Sequence, residues 1–199
     1  LTLTEPSTRR WWMLAGVWFC YMTFGLSMAS LAPLVREIES DLAFSHSAMG
    51  TVLGAWQFVY IFAAIPCGIL LDRIGARWGL AIGALIIGLS GIFRGFAEEY
   101  IHLLIAVALF GLGGPLISAG APKVVSERFE GKDRGLAMGI YITGPGIGAV
   151  TALLLTQPLI LPWLEGNWRA LLQIWGGVSL AAGLFWLLVA KESPRTPDG

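Results

Sequence analysis

Six long apolar runs, separated by short polar breaks, make up almost the whole chain. None of them alternates apolar and polar residues with the period of two that marks a half-buried strand. They predict helices over about 11–35, 47–71, 78–96, 101–122, 136–160 and 170–190. A helix needs roughly 20 apolar residues to cross bilayer hydrocarbon, and these runs reach that length. The expected fold class is therefore an all-α membrane protein with six transmembrane helices over residues 11–190. A polar segment, 1–10, precedes the bundle, and a Pro-containing tail or start of a linker, 191–199, follows it.

The breaks differ in character. Arg36 to His46 carries Glu37, Glu39 and Asp41 and reads as an acidic, exposed loop. Ala97-Glu98-Glu99 reads as a second acidic turn, and Leu161 to Arg169 as a short loop with Pro162, Trp163 and Trp168 at the membrane interface. Lys123 to Gly135 is the longest polar stretch and alternates in sign. The shortest and most charged break lies within Gly68 to Leu80, where Asp72, Arg73 and Arg77 are punctuated by Gly68 and Gly75. So short a connection makes the flanking helices antiparallel neighbours.

Composition supports the membrane reading: 56% of residues are hydrophobic and 13% charged, against about 25% charged in a soluble domain. The formal net charge of zero conceals an uneven distribution. Arg9, Arg10, Arg73, Arg77, Lys123, Arg128, Lys132, Arg134, Lys191 and Arg195 fall on one side, whereas Arg36, Arg94 and Arg169 fall at or near the other. Basic residues accumulate in cytoplasmic loops, so both termini are expected in the cytoplasm of a bacterial inner membrane or plasma membrane. No cleavable leader is expected, because the run from Trp11 is too long for a signal-peptide core; residues are expected ahead of Leu1. Cys20 and Cys67 lie inside apolar runs and read as small packing residues rather than a disulfide.

Glycines recur at four-residue spacing: Gly50 and Gly54, Gly79 and Gly83, Gly91 and Gly95, Gly144 and Gly148. Such faces let helix backbones approach closely where lipid gives no hydrophobic incentive. Gly144, Pro145 and Gly146 together weaken a helix at mid-membrane and suit a bend lining a cavity. Arg94 stands near the exterior end of the third run with Glu98 four residues on. It reads either as a snorkelling Arg paired with Glu98 or as an anion-attracting charge at a cavity mouth. His46 and His102 have no neighbours at metal-ligand spacing, and no nucleophile triad, phosphate loop or intramembrane carboxylate pair is present. No metal, cofactor, nucleic-acid or enzymatic role is expected.

The break between the second and third runs resembles the helix 2–3 loop of the major facilitator superfamily, through Gly68, Leu70, Asp72, Arg73, Gly75 and Arg77; Ala76 replaces a basic residue. Glu127-Arg128-Phe129 with Arg134-Gly135, Ala137 and Gly139 is similar to the entry to helix 5 in that family. Lys191-Glu192-Ser193-Pro194-Arg195 is similar to the tail closing its six-helix half in the sugar-porter branch. Gly144-Pro145-Gly146 with Gly148 partly resembles the helix 5 antiporter motif, with Ala149 in place of a Gly; an Arg common early in helix 4 is absent from Ile105 to Leu109. The run from Phe24 to Arg94 looks closest to cyanate or nitroimidazole permease-like members, or to organic-anion porters.

The resemblance implies an amino-terminal six-helix half, with a solute site formed at mid-membrane against a second six-helix half. It further implies that helices 1, 4, 5 and part of 2 face the cavity, so Tyr21, Gln57, Tyr60, Tyr141 and Thr143 are the substrate-cavity candidates. Gln57 at mid-bilayer needs a partner, either solute or a neighbouring helix; Trp18 and Trp56 read as lipid or core packing. Asp72 is placed to cap the next helix and pair with Arg77. The resemblance makes it a conformational latch, with Gly68, Arg73, Gly75 and Arg77 completing the switch motif. The function implied is secondary transport of a small solute, an organic or inorganic anion, by alternating access. The rival reading is a half-transporter-like structural or assembly subunit without transport activity. Membrane lipid, a small solute and a second six-helix half are the expected partners.

Overall fold

The computed structural model describes residues 7–190, which are helical almost throughout and contain no strand. The polar segment and tail expected at the two ends lie largely outside the described residues. Five segments are long and apolar enough to cross a membrane: Thr8–Leu42, His46–Gly95, Tyr100–Arg128, Gly131–Trp163 and Trp168–Val189.

Helix α1 (Ser7–Ala29) ends before Pro33, which sits in a 3-10 turn, Ala32–Leu34. The acidic loop expected next is instead helix α2 (Val35–Leu42). Leu34 and Ile38, both at 0% exposure, are four residues apart, so one face of α2 is buried while its charges line the others. Ala43, in the left-handed conformation at φ 51°, ends α2. Ser45 then caps helix α3 (His46–Gly95) by accepting from the Ala48 N–H at 3.2 Å.

Fifty residues of straight helix would extend about 75 Å, more than twice the hydrocarbon thickness. The chain instead reverses at Gly75, whose φ of 81° and ψ of 162° interrupt the helix. A Cβ on Gly79 would lie 2.2 Å from Leu71, a contact possible only if the arms fold back on each other. Both arms then lie on helix α4 (Tyr100–Arg128): Gly111 backs onto Trp56 and Val59, and Gly113 onto Gly83 and Ile87. The antiparallel pairing read from the short break is what the chain adopts.

The polar stretch 123–135 is a connection of two residues, Phe129 and Glu130. Lys123, Glu127 and Arg128 belong to α4, and helix α5 (Gly131–Leu155) starts at once. Buried Val124, Val125 and Phe129 hold this end, with Phe129 edge-on to Trp11 at 5.3 Å. Beyond α5 the ladder widens into a π-helical turn, Thr156–Ile160, around Pro158, which cannot donate a backbone hydrogen bond. A short helix α6 (Leu161–Trp163) and left-handed Glu165 and Gly166 lead to helix α7 (Trp168–Val189), capped by Asn167 on the Ala170 N–H at 3.0 Å.

Glycine contacts set the packing. A methyl at Gly148 would lie 1.9 Å from the Met22 carbonyl oxygen, and one at Gly25 2.0 Å from the Pro145 carbonyl oxygen, so α1 and α5 cross with backbones touching. Gly91 meets Gly176 in the same way between α3 and α7. Gly50 and Gly54 differ from the other spaced pairs: no atom lies within 4 Å of a Cβ there. Cys20 is buried and donates weakly to the Ala182 carbonyl at 3.5 Å; both cysteines are free.

Ion pairs tie the two ends. At one, Arg10 bonds Asp133 at 2.6 Å and Lys123 bonds Asp72 at 2.7 Å. At the other, Arg169 pairs with Asp41 and donates to the Ala97 carbonyl at 3.0 Å, pinning α2 over the bundle.

Candidate functional site

An aromatic wall runs across α1, α3, α4 and α5. Tyr21 and Tyr141 stack with centroids 5.7 Å apart, and Tyr21 leans on Phe24 at 5.8 Å. Phe24 stacks on Phe110 at 5.3 Å, and Trp56 sits edge-on to Phe110 at 5.4 Å and to Tyr60 at 6.1 Å. The rings interlock because α4 presents no side chain at Gly114, where a Cβ would meet Tyr60 at 2.9 Å and Phe24 at 3.2 Å. Glycine thus creates the recess that the aromatics fill.

Polar atoms are set into this wall. The Tyr60 hydroxyl and Ser118 Oγ share a hydrogen bond of 2.7 Å. Trp18 Nε1 donates to Thr143 Oγ1 at 3.0 Å, and Thr143 donates to the Ile140 carbonyl at 2.7 Å. Tyr21 and Tyr60 are half-buried, Tyr141 is buried, and Thr143 is exposed. Aromatic faces with a few hydroxyls and an indole N–H can bind the apolar and hydroxylated parts of a small solute and fix its orientation.

Of the five cavity candidates, Tyr21, Tyr60 and Tyr141 lie in one ring network, and Thr143 bonds Trp18 apart from it. Gln57 is exposed beside Trp56 and has no side-chain hydrogen bond among the described residues. Trp56, read from sequence as a packing residue, belongs to the wall, while Trp18, read the same way, donates to Thr143. Ser118 was not singled out; its position four residues after Gly114 on α4 was the available signal.

At the α3 turn, Gly68 and Gly75 have open space where a Cβ would stand. Asp72 and Arg73 are exposed. Asp72 is paired with Lys123 of α4, a partner that sequence reasoning did not name. Arg77 donates to the Leu187 carbonyl at 3.5 Å and lies 5.6 Å from the Trp78 ring, while the Arg77 carbonyl accepts from Trp186 Nε1 at 2.8 Å. Helix α5 continues through Gly144, Pro145 and Gly146, with Gly144 lying against the α1 backbone at Trp18 and Met22.

The expected Arg94–Glu98 pair does not form. Arg94 is 2% exposed, and its Nη1 donates inward to the Ser27 carbonyl at 2.9 Å and Ser30 Oγ at 3.2 Å, while Glu98 stays exposed. The end of α1, with its unsatisfied carbonyls, outcompetes a solvated carboxylate as the partner.

A separate, open cavity of about 540 Å³ lies at the α2 end, lined by Arg36, Glu37, Glu39, His46 and Gln157 among others. There Gln157 bonds Glu37 at 2.9 Å and His46 bonds Glu39 at 2.7 Å. No group of three His, Cys, Asp or Glu residues able to hold a metal is assembled among the described residues.

The fold is shared with solved structures. A bacterial homologue of the human lysosomal transporter Spinster, in its inward-facing unoccupied conformation, matches with a TM-score of 0.84 at 20% identity, over 98% of this chain and 46% of that one. Among curated proteins, a D-galactonate transporter of Escherichia coli is 25% identical over 98% of this chain and 44% of its own length. A probable galactarate/D-glucarate transporter of Escherichia coli is 28% identical over 98% of this chain and 44% of its own. Protein spinster homolog 1 of Xenopus tropicalis is 27% identical over 83% of this chain and 32% of its own. The chain thus spans about half the length, or less, of these relatives. With residues 17–199 matching its family model and the helical architecture agreeing, this integral, multi-pass membrane chain belongs to the Major Facilitator Superfamily.

Proposed function

We propose that the chain forms one six-span half of a secondary transporter for small organic anions, working by alternating access. The observation that supports this reading is the aromatic wall, which packs rings of four helices together, with Phe24, Phe110 and Tyr141 buried, and leaves Tyr21, Trp56 and Tyr60 half-buried along its edge. Counting the two arms of α3 separately, at 46–74 and 76–95, gives six spans. A second six-helix half, in the same polypeptide or another chain, closes the wall into a cavity at mid-membrane. Sugar-acid transport by relatives, as their names state it, supports a hydroxylated carboxylate as the solute. Such a molecule offers hydroxyls to Tyr60, Thr143 and Gln57 and an apolar sugar face to the rings.

Both termini lie in the cytoplasm on this reading, because ten of the 13 basic residues fall on that side. The test is uptake into proteoliposomes containing the intact protein, with galactonate, galactarate, cyanate and nitrate as solutes. Saturable uptake of a sugar acid supports the reading. Uptake indistinguishable from empty liposomes for all four, with protein correctly inserted, overturns it in favour of a structural or assembly subunit.

A further inference from the structure

Arg94 carries a full positive charge into the interior of the bundle, and no carboxylate among the described residues pairs with it. It is 2% exposed, and an arginine is not deprotonated inside proteins. Its Nη1 caps the end of α1 through the Ser27 carbonyl and Ser30 Oγ, at 2.9 and 3.2 Å. The negative end of a helix dipole favours a cation there but supplies only about half a charge. Its guanidinium carbon lies 5.3 Å from the centre of the Phe110 ring, whose face adds a second partial compensation. Nε is buried with no partner.

Buried charges are ordinarily paired. The acidic residues at this end of the bundle are, among the described residues, engaged or directed elsewhere. Asp41 pairs with Arg169, Glu37 Oε1 accepts from Gln157, Glu39 bonds His46, and Glu98, Glu99 and Glu165 are exposed. The guanidinium therefore has a net field, and Phe110 is where that field meets the site. The same ring that covers Arg94 packs on Phe24 at 5.3 Å and Trp56 at 5.4 Å, both members of the wall.

We infer that Arg94 is a specificity-determining residue that acts through the Phe110 layer, holding the aromatic wall at positive potential so that anionic solutes are chosen over neutral analogues of the same shape. It does not touch the solute. The inference rests on the function proposed above and names a source for its anion preference. At roughly 10 Å and an effective dielectric of about 20, one unit charge changes the affinity of an opposite unit charge roughly tenfold. The effect should scale with solute valence, which hydrogen bonding or packing would not reproduce.

The experiment uses the intact transporter, with affinities read from tryptophan quenching in detergent and KM from proteoliposome uptake. The probes are galactose, galactonate and galactarate, carrying zero, one and two negative charges. In Arg94→Gln the galactonate affinity falls about tenfold, the galactarate affinity about a hundredfold, and galactose binding is unchanged. Arg94→Lys, which keeps the charge but loses the planar fork, retains most of the valence dependence. Ser30→Asp provides a second route, since a carboxylate beside Nη1 neutralises the charge with Arg94 still in place; it reproduces the Gln pattern. Equal weakening of all three probes in these variants, or an unchanged valence order in Arg94→Gln, overturns the inference and leaves Arg94 as a cap for α1. A wild-type protein without preference for the charged probes removes the anion reading itself, a distinguishable result.

Discussion

Lys123 of α4 reaches Asp72 beside the reversal of α3, Nζ to Oδ1 2.7 Å, with the Asp side chain 76% exposed. A pair this open contributes only about 0–1 kcal/mol, so it does not hold the fold together. Asp72→Asn and Lys123→Gln should each leave thermal stability in detergent nearly unchanged. If Asp72 is a latch between transporter halves, Asp72→Asn in the intact protein reduces transport roughly 5–150-fold, in line with a typical coupling energy. Wild-type uptake in properly inserted Asp72→Asn removes the latch.

The α1–α5 crossing makes a sharper demand. Gly148→Ala drives a methyl into the Met22 carbonyl and Gly25→Ala into the Pro145 carbonyl, and in both cases the obstacle is backbone that cannot swing aside. Each should cost about 1–3 kcal/mol, seen as a lower unfolding midpoint. Gly146→Ala, two residues from Gly148 and facing open space, should be neutral or slightly stabilising. Equal stability of Gly148→Ala and Gly146→Ala would refute the close crossing.

Topology can be read by labelling single cysteines at exposed positions. Gly131 and Gly166 are poor choices because both have positive φ, 54° and 81°. Ser40 and Glu98 avoid that strain on one side, and Glu130 and Lys132 on the other; all four are exposed. Cysteines at Ser40 and Glu98 should react from outside intact cells, and those at Glu130 and Lys132 only after permeabilisation. The reverse pattern inverts the orientation.

Much of this architecture was legible in the chain. Apolar run length foretold long membrane-length helices, and the Gly75 break foretold the antiparallel pairing of the two α3 arms, because a short charged turn leaves few alternatives. The ends were less legible. Charge suggested loops at 36–46 and 123–135, yet Ile38 and Val125 bury one face of those segments and keep them helical. Arg94 was misread for a related reason. Its partner Ser27 lies 67 residues away, whereas Glu98 is one turn on, and sequence shows only the near candidate.

In the wall, Tyr60→Phe removes the hydroxyl that meets Ser118 while keeping the ring against Trp56 and Gly114. If that hydroxyl orients solute, KM in the intact transporter rises about 3–10-fold, a value near one neutral hydrogen bond, with stability little changed. Ser118→Ala separates the roles: it frees the Tyr60 hydroxyl and should disturb KM less. Equal KM for Tyr60→Phe and wild type takes this hydroxyl out of the site.

Gly75 gives the bundle its mechanical asymmetry. At that end a single non-helical residue joins two long helical arms. At the opposite end, the 3-10 turn, α2, the π-helical turn and α6 lie between spans. Asp72 stands three residues before the reversal at Gly75, on the same arm as Trp56 and Tyr60. A substitution at Gly75 would therefore strain the whole reversal at one φ of 81°, whereas the turns opposite share their geometry over several short elements.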